Sequence, residues 1–547
     1  MSKKFLIFDS DDLKKFHKRV FFSIIVFLGF YFVAIFRIAD VMVFENNVKE
    51  ITNIKANIER GKIYDRNGEL LATNIYNYSL AANPLKINNK SDLSNQLSAI
   101  LFLDKEVIEK KLLSQKKFVW LKRNISPKEH QKIIELGEIH LRTLLETKRI
   151  YPFQNIGAHV LGYVDIDNKG QAGIERGLDD ILNKGENIFL TIDINLQNAV
   201  QEELESTIEK FSADSGVSLL IDIKNGEIIS LNNFPDFNPN RINLSSMEGR
   251  FNRVLQANYE MGSTFKPIIV ALGIDENIIN KEMMFDVSQP INSIRDYHPF
   301  VGSLSVKDIV VQSSNIGAAK IAHKIGKKKQ IEFFRKMGFF EKLNIQIKEA
   351  AQPLGNKNNW GELETMTIGF GYGFAVTPLH IATAYASILN EGRRVNPTIL
   401  LGANNISSEA LVKKETSEYI LELLRAVVTE TEYTGPRVRI EGYEIGGKTG
   451  TAELINNLGQ YQKDANLTSF IGIFPISKPQ YLVLTIVENP KKIKEENYNI
   501  TGAAVNAPLV KNIILRMIEI LKIPRLPASE ILNAAIRTNY HRYYVTQ

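Results

Sequence analysis

The chain has 547 residues, 44% hydrophobic and 23% charged, a balance that excludes a mainly disordered chain, a collagen-like chain and a polytopic membrane protein. Lys and Arg number 67 against 61 Asp and Glu, and a net charge of +6 leaves no broad basic field for nucleic acid. Cysteine is absent, which excludes disulfides, thiolate-bound zinc, iron–sulfur clusters and a thiol nucleophile.

In chain order, the first informative segment is the uncharged run Val20–Phe36, VFFSIIVFLGFYFVAIF. Its length falls at the short end of a membrane-spanning helix, about 17–25 residues. The run resumes at Val41–Phe44, so the span is placed at 20–44, with Arg37 snorkelling to the interface. Lys3, Lys4, Lys14, Lys15, Lys18 and Arg19 outnumber Asp9, Asp11 and Asp12. The positive-inside rule then makes 1–19 a cytoplasmic tail and puts everything after the span outside. Ala34 and Ala39 make no convincing small-residue cleavage site, which favours an uncleaved anchor over a signal peptide. The run has no amphipathic face, which argues against a buried helix of a soluble domain.

Residues 45–188 are polar and mixed, and are read as one domain. Lys62–Tyr64 and Glu69–Leu71 flank Asp65-Arg66-Asn67-Gly68, a hairpin signal. Leucines and isoleucines at three and four spacing predict helix over 97–146. Gly170–Glu175 reads as a turn and a helix start. From Phe189 the texture changes to strand and helix. Val217–Asp222 and Ile228–Leu231 flank a second Asn-Gly hairpin at Lys224–Glu227, and Phe470–Phe474 and Tyr481–Val487 are strand-like. Helical stretches lie around 263–275, 314–336 and 377–391. Strands at both ends with helices between predict one α/β domain, 189–526, whose sheet is closed by distant segments. Residues from Pro527 to the end carry no pattern and are read as a surface tail, 527–547.

Three short motifs carry chemistry. In Tyr259–Ile274, YEMGSTFKPIIVALGI, Pro267 is tolerable only in the first turn of a helix, so the helix starts near Ser263. Lys266 then lies one turn on, on the same face, at the mouth of a helix apolar nearly all round. Burial lowers a lysine toward its neutral amine, a general base for the adjacent hydroxyl. The same S-x-x-K spacing occurs at Ser114 and Lys117, in a lysine-rich segment with no apolar helix after it, so context and not spacing selects Ser263. Ser313-Ser314-Asn315 opens another helix and can aim a hydroxyl and an amide into one cleft; alone it is also a plain helix cap, and Ser230 with Asn232 fits the same S-x-N.

The third motif is Ile445–Ala452, IGGKTGTA, the only K-T-G in the chain. Glycines beside Lys448 and Thr449 suggest a strand approached closely by a ligand. In a regular strand Lys448 and Gly450 face one way and Thr449 and Thr451 the other, so a bulge at Gly450 would be needed to aim all four at one ligand. Gly442, Gly447, Lys448 and Thr449 also satisfy a phosphate-loop pattern. That reading fails on context, since Gly450 and the turn Asn456–Gly459 follow where a helix is required.

S-x-x-K, S-x-N and K-T-G in this order resemble the penicillin-binding proteins and class A β-lactamases. Arg60-Gly61, Ile63, Asp65–Gly68, Gly162-Tyr163, Gly170 and Gly173–Glu175 look like the pedestal motifs of class B penicillin-binding proteins. Ile368–Gly373 and Val376–Leu379 are similar to the division-specific, FtsI-type branch, whereas the elongation branch usually has G-Q-G at Gly371–Gly373. Met261 and His380 depart from residues common in the family, Pro and Gln.

The resemblance implies an α/β (α+β) transpeptidase domain of the serine β-lactamase-like class, a mixed β-rich pedestal (dimerisation-type) domain at 45–188 and one transmembrane helix. It implies a monofunctional D-Ala-D-Ala transpeptidase that cross-links peptidoglycan stem peptides through a serine acyl-enzyme during septal wall synthesis and is inhibited by β-lactams. Ser263 is the expected nucleophile, Lys266 its base, Ser313 and Asn315 proton-relaying and peptide-holding groups, and Lys448 their partner at the substrate carboxylate. Ser314, Thr449, Gly450 and Thr451 are expected to bind substrate, with the backbone N–H groups of Ser263 and Thr451 as oxyanion hole. No cofactor and no metal is implied. Partners would be stem peptides, β-lactams, a septal glycosyltransferase and other division proteins, at the inner membrane with the catalytic domain periplasmic. An elongation-type protein, an anchored β-lactamase or β-lactam sensor, and a silent division scaffold stay open as alternatives. Against the β-lactamase, no E-x-x-L-N for deacylation is found. Against a bifunctional enzyme, 45–190 is too short for a glycosyltransferase.

Overall fold

The uncharged N-terminal run sits within one helix, α1 (Ser10–Ala39), in the computed structural model, which describes residues 10–39, 59–355, 360–403, 406–455, 460–493 and 499–525. Two units are distinct, Met1–Ile58 and Glu59–Gln547. In the first, Leu13–Ile38 is 26 residues long, apolar enough to cross a membrane, and buries no side chain. At ~1.5 Å per residue that stretch exceeds the ~30 Å hydrocarbon core of a bilayer. The expected span at 40–44, the residues 1–9 and 45–58, the turn Asn456–Gly459 and the tail at 527–547 lie outside the described residues.

In the second unit the pedestal is built on one long strand, β1 (Leu70–Ala82), paired antiparallel with both β2 (Val119–Ile125) and β3 (Leu141–Ile150). The Asn-Gly hairpin forms as expected: Ile63 pairs with Ala72, Tyr64 pairs with Leu70, and Gly68 takes φ +89° at the turn. Helices Lys90–Leu101, Lys105–Leu112 and Pro127–Glu135 cover the sheet around Leu97, Leu101, Ile108, Leu112, Leu121 and Ile125. The helix expected over 97–146 is thus interrupted by β2 and corrected at its end by β3. Val119 and Trp120 favour strand, and both edges of β1 need backbone partners, which overrides local leucine spacing.

The pedestal motifs form its base. Arg60 Nε donates to Glu175 Oε2 at 2.8 Å and Arg149 Nε to Glu175 Oε1 at 2.7 Å, all three side chains buried. A Cβ on Gly162 would lie 1.8 Å from Ala172 O, so the two motif segments touch backbone to backbone. Asp65 accepts from Asn67 N and Glu69 N within the turn, and its second oxygen accepts from Ile194 N at 3.2 Å, where the catalytic part begins.

That part opens with α2 (Ile194–Phe211) and the hairpin β4 (Ser215–Asp222) and β5 (Ile228–Phe234), with Gly226 at φ +75° in its turn. There follow β6 (Tyr259–Glu260), α3 (Lys266–Asp275), α4 (Asn315–Ile325), β7 (Ala375–Val376) and α5 (Pro378–Leu389). The helix expected over 314–336 breaks at Gly326, φ +78°, into α4 and Lys327–Lys336. The chain closes with β8 (Gly446–Ile455), β9 (Tyr461–Phe474), β10 (Tyr481–Glu488) and α6 (Gly502–Ile520).

The five-stranded antiparallel sheet runs β8-β9-β10-β4-β5, so distant segments do close it. Alternation along β10 feeds two layers: Leu482, Leu484 and Ile486 pack toward α3 and α5, while Val483 and Val487 pack toward α2 and α6. The motif segments gather at the β8 edge of this sandwich.

Candidate active site

β6 pairs antiparallel with β7, Glu260 opposite Ala375, and delivers the chain to a 3₁₀ turn, Gly262–Phe265, that runs into α3 with Pro267 in its first turn. Gly262 takes φ +53°, and a Cβ there would lie 2.7 Å from Thr451 O. Only glycine supplies both the left-handed backbone and the missing atom. Gly262 N donates to Gly371 O at 3.2 Å, and the buried Tyr385 hydroxyl on α5 donates to Thr264 O at 2.6 Å. Ser263 therefore sits on a turn fixed from three directions. Lys266 to Gly273 are all buried, as an all-apolar helix requires.

Lys266 is fully buried, and its Nζ lies 2.8 Å from Ser263 Oγ, 2.6 Å from Ser313 O, 3.1 Å from Ser313 Oγ and 2.9 Å from Asn315 Oδ1. An ammonium has three hydrogens for these four oxygens; a neutral amine instead offers a lone pair to one hydroxyl. Burial pushes Lys266 well below the usual lysine value, the nearby Lys448 cation pushes it further, and Asp296 opposes them. Lys448, also buried, reaches Ser313 Oγ from the other side at 3.1 Å, and burial lowers it to about 7. Ser313 thus bridges the two lysines. It holds φ +62°, a left-handed conformation that turns both its carbonyl and its hydroxyl to Lys266.

The structure separates the middle residue of S-x-N from the cleft. Ser314 is buried, caps α4 by accepting from Gly317 N at 2.9 Å and donates to Asp296 Oδ2 at 2.8 Å. Its hydroxyl caps the helix and donates inside the protein, so the expected contact with substrate would use its remaining acceptor lone pair. Asp296 also accepts from Asn315 N and Ile316 N, and so holds the start of α4, with Asn315 on it, against Lys266.

On β8 the pairing with β9 is continuous from Gly446 to Glu453, so the bulge at Gly450 is absent and the alternation stands. Lys448 and Gly450 are buried, Thr449 and Thr451 half-buried. The glycine at 450 answers to the protein rather than to a ligand: a Cβ there would meet Ser469 Oγ at 2.4 Å and Met261 O and Thr264 Cγ2 at 2.9 Å. Gly450 thus packs against the Ser263 turn, and the part expected of it in substrate binding would pass through its backbone. Thr451 Oγ1 accepts from Gly502 N at 3.2 Å, which ties β8 to the start of α6.

The competing segments separate cleanly. Ser230 and Asn232 are buried in β5 and bonded to each other at 2.5 Å. Ser114 follows a pedestal helix, with Lys117 exposed. Lys448 lies inside a strand with strand after it, which removes the phosphate loop. Met261 is buried, and His380, lowered to about 4 by burial, lies 2.7 Å from the Thr377 cap. Sequence reasoning missed Asp296, Tyr385 and Arg149; each acts on a residue remote in the chain, and no spacing marks it.

Residues 216–515 match the family profile described as penicillin binding protein transpeptidase domain, and 55–210 match the penicillin-binding protein dimerisation domain. The chain is 30% identical over 484 residues to the probable peptidoglycan D,D-transpeptidase FtsI of Caulobacter vibrioides, covering 85% of this chain and 82% of the relative. It is 30% identical over 505 residues to the peptidoglycan D,D-transpeptidase FtsI of Buchnera aphidicola, covering 85% and 87%. A peptidoglycan synthetase structure from Bifidobacterium adolescentis superposes with a TM-score of 0.67 at 19% identity, covering 86% of this chain and 97% of that one.

Proposed function

The chain belongs to the penicillin-binding protein transpeptidases, as a class B member of the FtsI type, and on that premise we propose that it cross-links new wall at the division septum with Ser263 as its nucleophile. The reaction itself is peptidoglycan D,D-transpeptidation, on a domain that binds penicillins and without a glycosyltransferase domain. The observation that carries the residue roles is the contact of Lys266 Nζ with Ser263 Oγ at 2.8 Å inside a buried cluster. Neutral Lys266 takes the Ser263 proton as Oγ attacks the carbonyl between the two terminal D-alanines. Ser313, between the lysines, carries a proton onward to the departing amine. Free D-alanine leaves, and an amine from a neighbouring strand attacks the acyl-enzyme. Thr449 and Thr451, on the half-buried face of β8, hold the substrate carboxylate, and the charge of Lys448, bonded to Ser313 on the other face, acts on it across the strand. The backbone N–H groups of Ser263 and Thr451 hold the oxyanion, a reading supported by the packing of Gly262 on Thr451.

The septal assignment rests on the FtsI-type Gly371–Gly373 stretch and the FtsI relatives. Depletion in the native host is expected to give growing cells that fail to divide, with the protein at mid-cell. Rounded cells with normal septa would point to the elongation branch. Division proteins and a septal glycosyltransferase are the proposed partners. The domain boundary is proposed at 188/189, supported by the packing of α2 against α6 and β10.

The α1 helix fits a membrane anchor. The proposed topology puts the N-terminus in the cytoplasm and the catalytic domain in the periplasm, with Lys14, Lys15, Lys18 and Arg19 on the inner side. A reporter active only outside the inner membrane, fused after residue 60, should be active on an uncleaved, membrane-bound chain. A mature N-terminus near Asp40 would overturn the anchor.

A further inference from the structure

Glu260 stands three residues before Ser263, is buried, and uses both carboxylate oxygens on other segments. Oε1 accepts from Gly373 N at 2.7 Å and Oε2 from the Tyr461 hydroxyl at 2.9 Å. Tyr461 begins β9 and pairs with Ile455 at the end of β8. The Tyr372 ring, next to Gly373 in the chain, lies 6.0 Å from the Tyr461 ring. On the opposite side of β6, Tyr259 donates to Glu488 on β10. Among the described residues no Lys or Arg pairs with Glu260. A buried carboxylate without a cation is costly to desolvate, and an apolar residue would pack there at less cost.

We propose that Glu260 is a positioning residue that ties the Ser263 turn, the Gly371–Gly373 loop and the far end of the β8–β9 hairpin together, and so sets the width of the cleft between Ser263 and Lys448–Thr451. The inference rests on Ser263 as the acylated serine and β8 as the substrate strand. The turn is already joined to β8 where Gly262 meets Thr451, and to the loop where Gly262 N meets Gly371 O. Glu260 adds a second attachment at the other end of the same hairpin. Two separated attachments fix a strand in angle as well as in distance, which one cannot.

The test is stopped-flow acylation of the full chain in detergent by a fluorescent penicillin, resolving the initial binding constant from the acylation rate constant. Glu260→Ala should lower the rate constant by about 10- to 100-fold, the scale of a misplacement near 1 Å, with binding changed less than about 3-fold. Glu260→Gln keeps an acceptor for Gly373 N–H and leaves the Tyr461 hydroxyl free to turn and accept from the amide, so it should restore the rate to within about 3-fold. Tyr461→Phe should lower the same constant, and the double variant should be no slower than Glu260→Ala, because Glu260→Ala already removes the tie to Tyr461. A wild-type rate constant in Glu260→Ala, or multiplied losses in the double variant, overturns the proposal. If Glu260→Ala fails to fold, Tyr461→Phe decides it, and an unchanged rate constant there overturns it. Labelling that survives Ser263→Ala would instead strike at the site reading beneath it.

Discussion

Ser263→Ala is expected to abolish covalent labelling by a fluorescent penicillin, a loss on the order of 10⁴-fold or more in acylation, because removal of a nucleophile leaves nothing to acylate. Among the described residues the hydroxyl has one hydrogen-bond partner, Lys266 Nζ at 2.8 Å, and the turn's backbone bonds described above do not pass through it. The variant should therefore keep its thermal midpoint while losing its label. Ser114→Ala, at the same S-x-x-K spacing, should label like the wild type. Stoichiometric labelling of Ser263→Ala, read by intact-protein mass, would disprove the assignment.

Replacing the base should cost nearly as much. Lys266→Met, close in length and uncharged, should slow acylation by ~10²–10⁴-fold, the usual worth of general-base help. Lys266→Arg should fail too, since a guanidinium keeps its proton. The Met variant also leaves Ser313 O and Asn315 Oδ1 short of a donor, so some stability is lost, and the rate must be read well below the midpoint. The pH dependence has a definite sign. Lys266 is lowered from the ordinary lysine value, so acidification reprotonates it and the wild-type rate falls with falling pH. Lys448 sits at about 7, so its cation is lost as pH rises above that value and the hold on the substrate carboxylate weakens. The two lysines touch the same hydroxyl, so the observed pKa values belong to the pair. Acylation by Lys266→Arg near the wild-type rate would remove the general-base role.

The three motifs were legible because each is short and each carries its own backbone signal: Pro267 after Lys266, a helix start after Ser313, glycines around Lys448. Their convergence was not written in any one of them. It depends on Asp296, Tyr385 and Glu260, whose partners lie 18 to 201 residues away. Glu260 was in plain view in the motif segment, but a glutamate before a turn has no pattern until Tyr461 is brought to it. Ser314 and Gly450 show the reverse: the motif marked them for substrate, and the structure adds a packing reason for each that the motif did not carry. The misread of 97–146 has the same origin, since leucine spacing cannot register that β1 needed strands on both sides. The pedestal was legible as motifs only: Arg60 and Glu175 were noted apart, and Arg149, which completes their cluster, has no local mark.

The strand order has a consequence for how the chain comes into being. β4 at 215–222 pairs at once with β5 but finds its second neighbour only in β10 at 481–488, and β8 is tied to the start of α6 at Gly502. A growing chain must carry that second edge of β4, with its Val, Leu and Ile residues, unpartnered from residue 222 to residue 481, nearly half its length, before β10 emerges. Contacts so far apart in sequence close slowly, and an open apolar strand edge invites pairing with other chains in the interval. Truncation anywhere before residue 488 therefore yields material prone to aggregate, even when Ser263, Lys266, Ser313 and Lys448 are all present. Acylation competence therefore waits for β10 to pair with β4, after Ser263, Lys266, Ser313 and Lys448 have all been made.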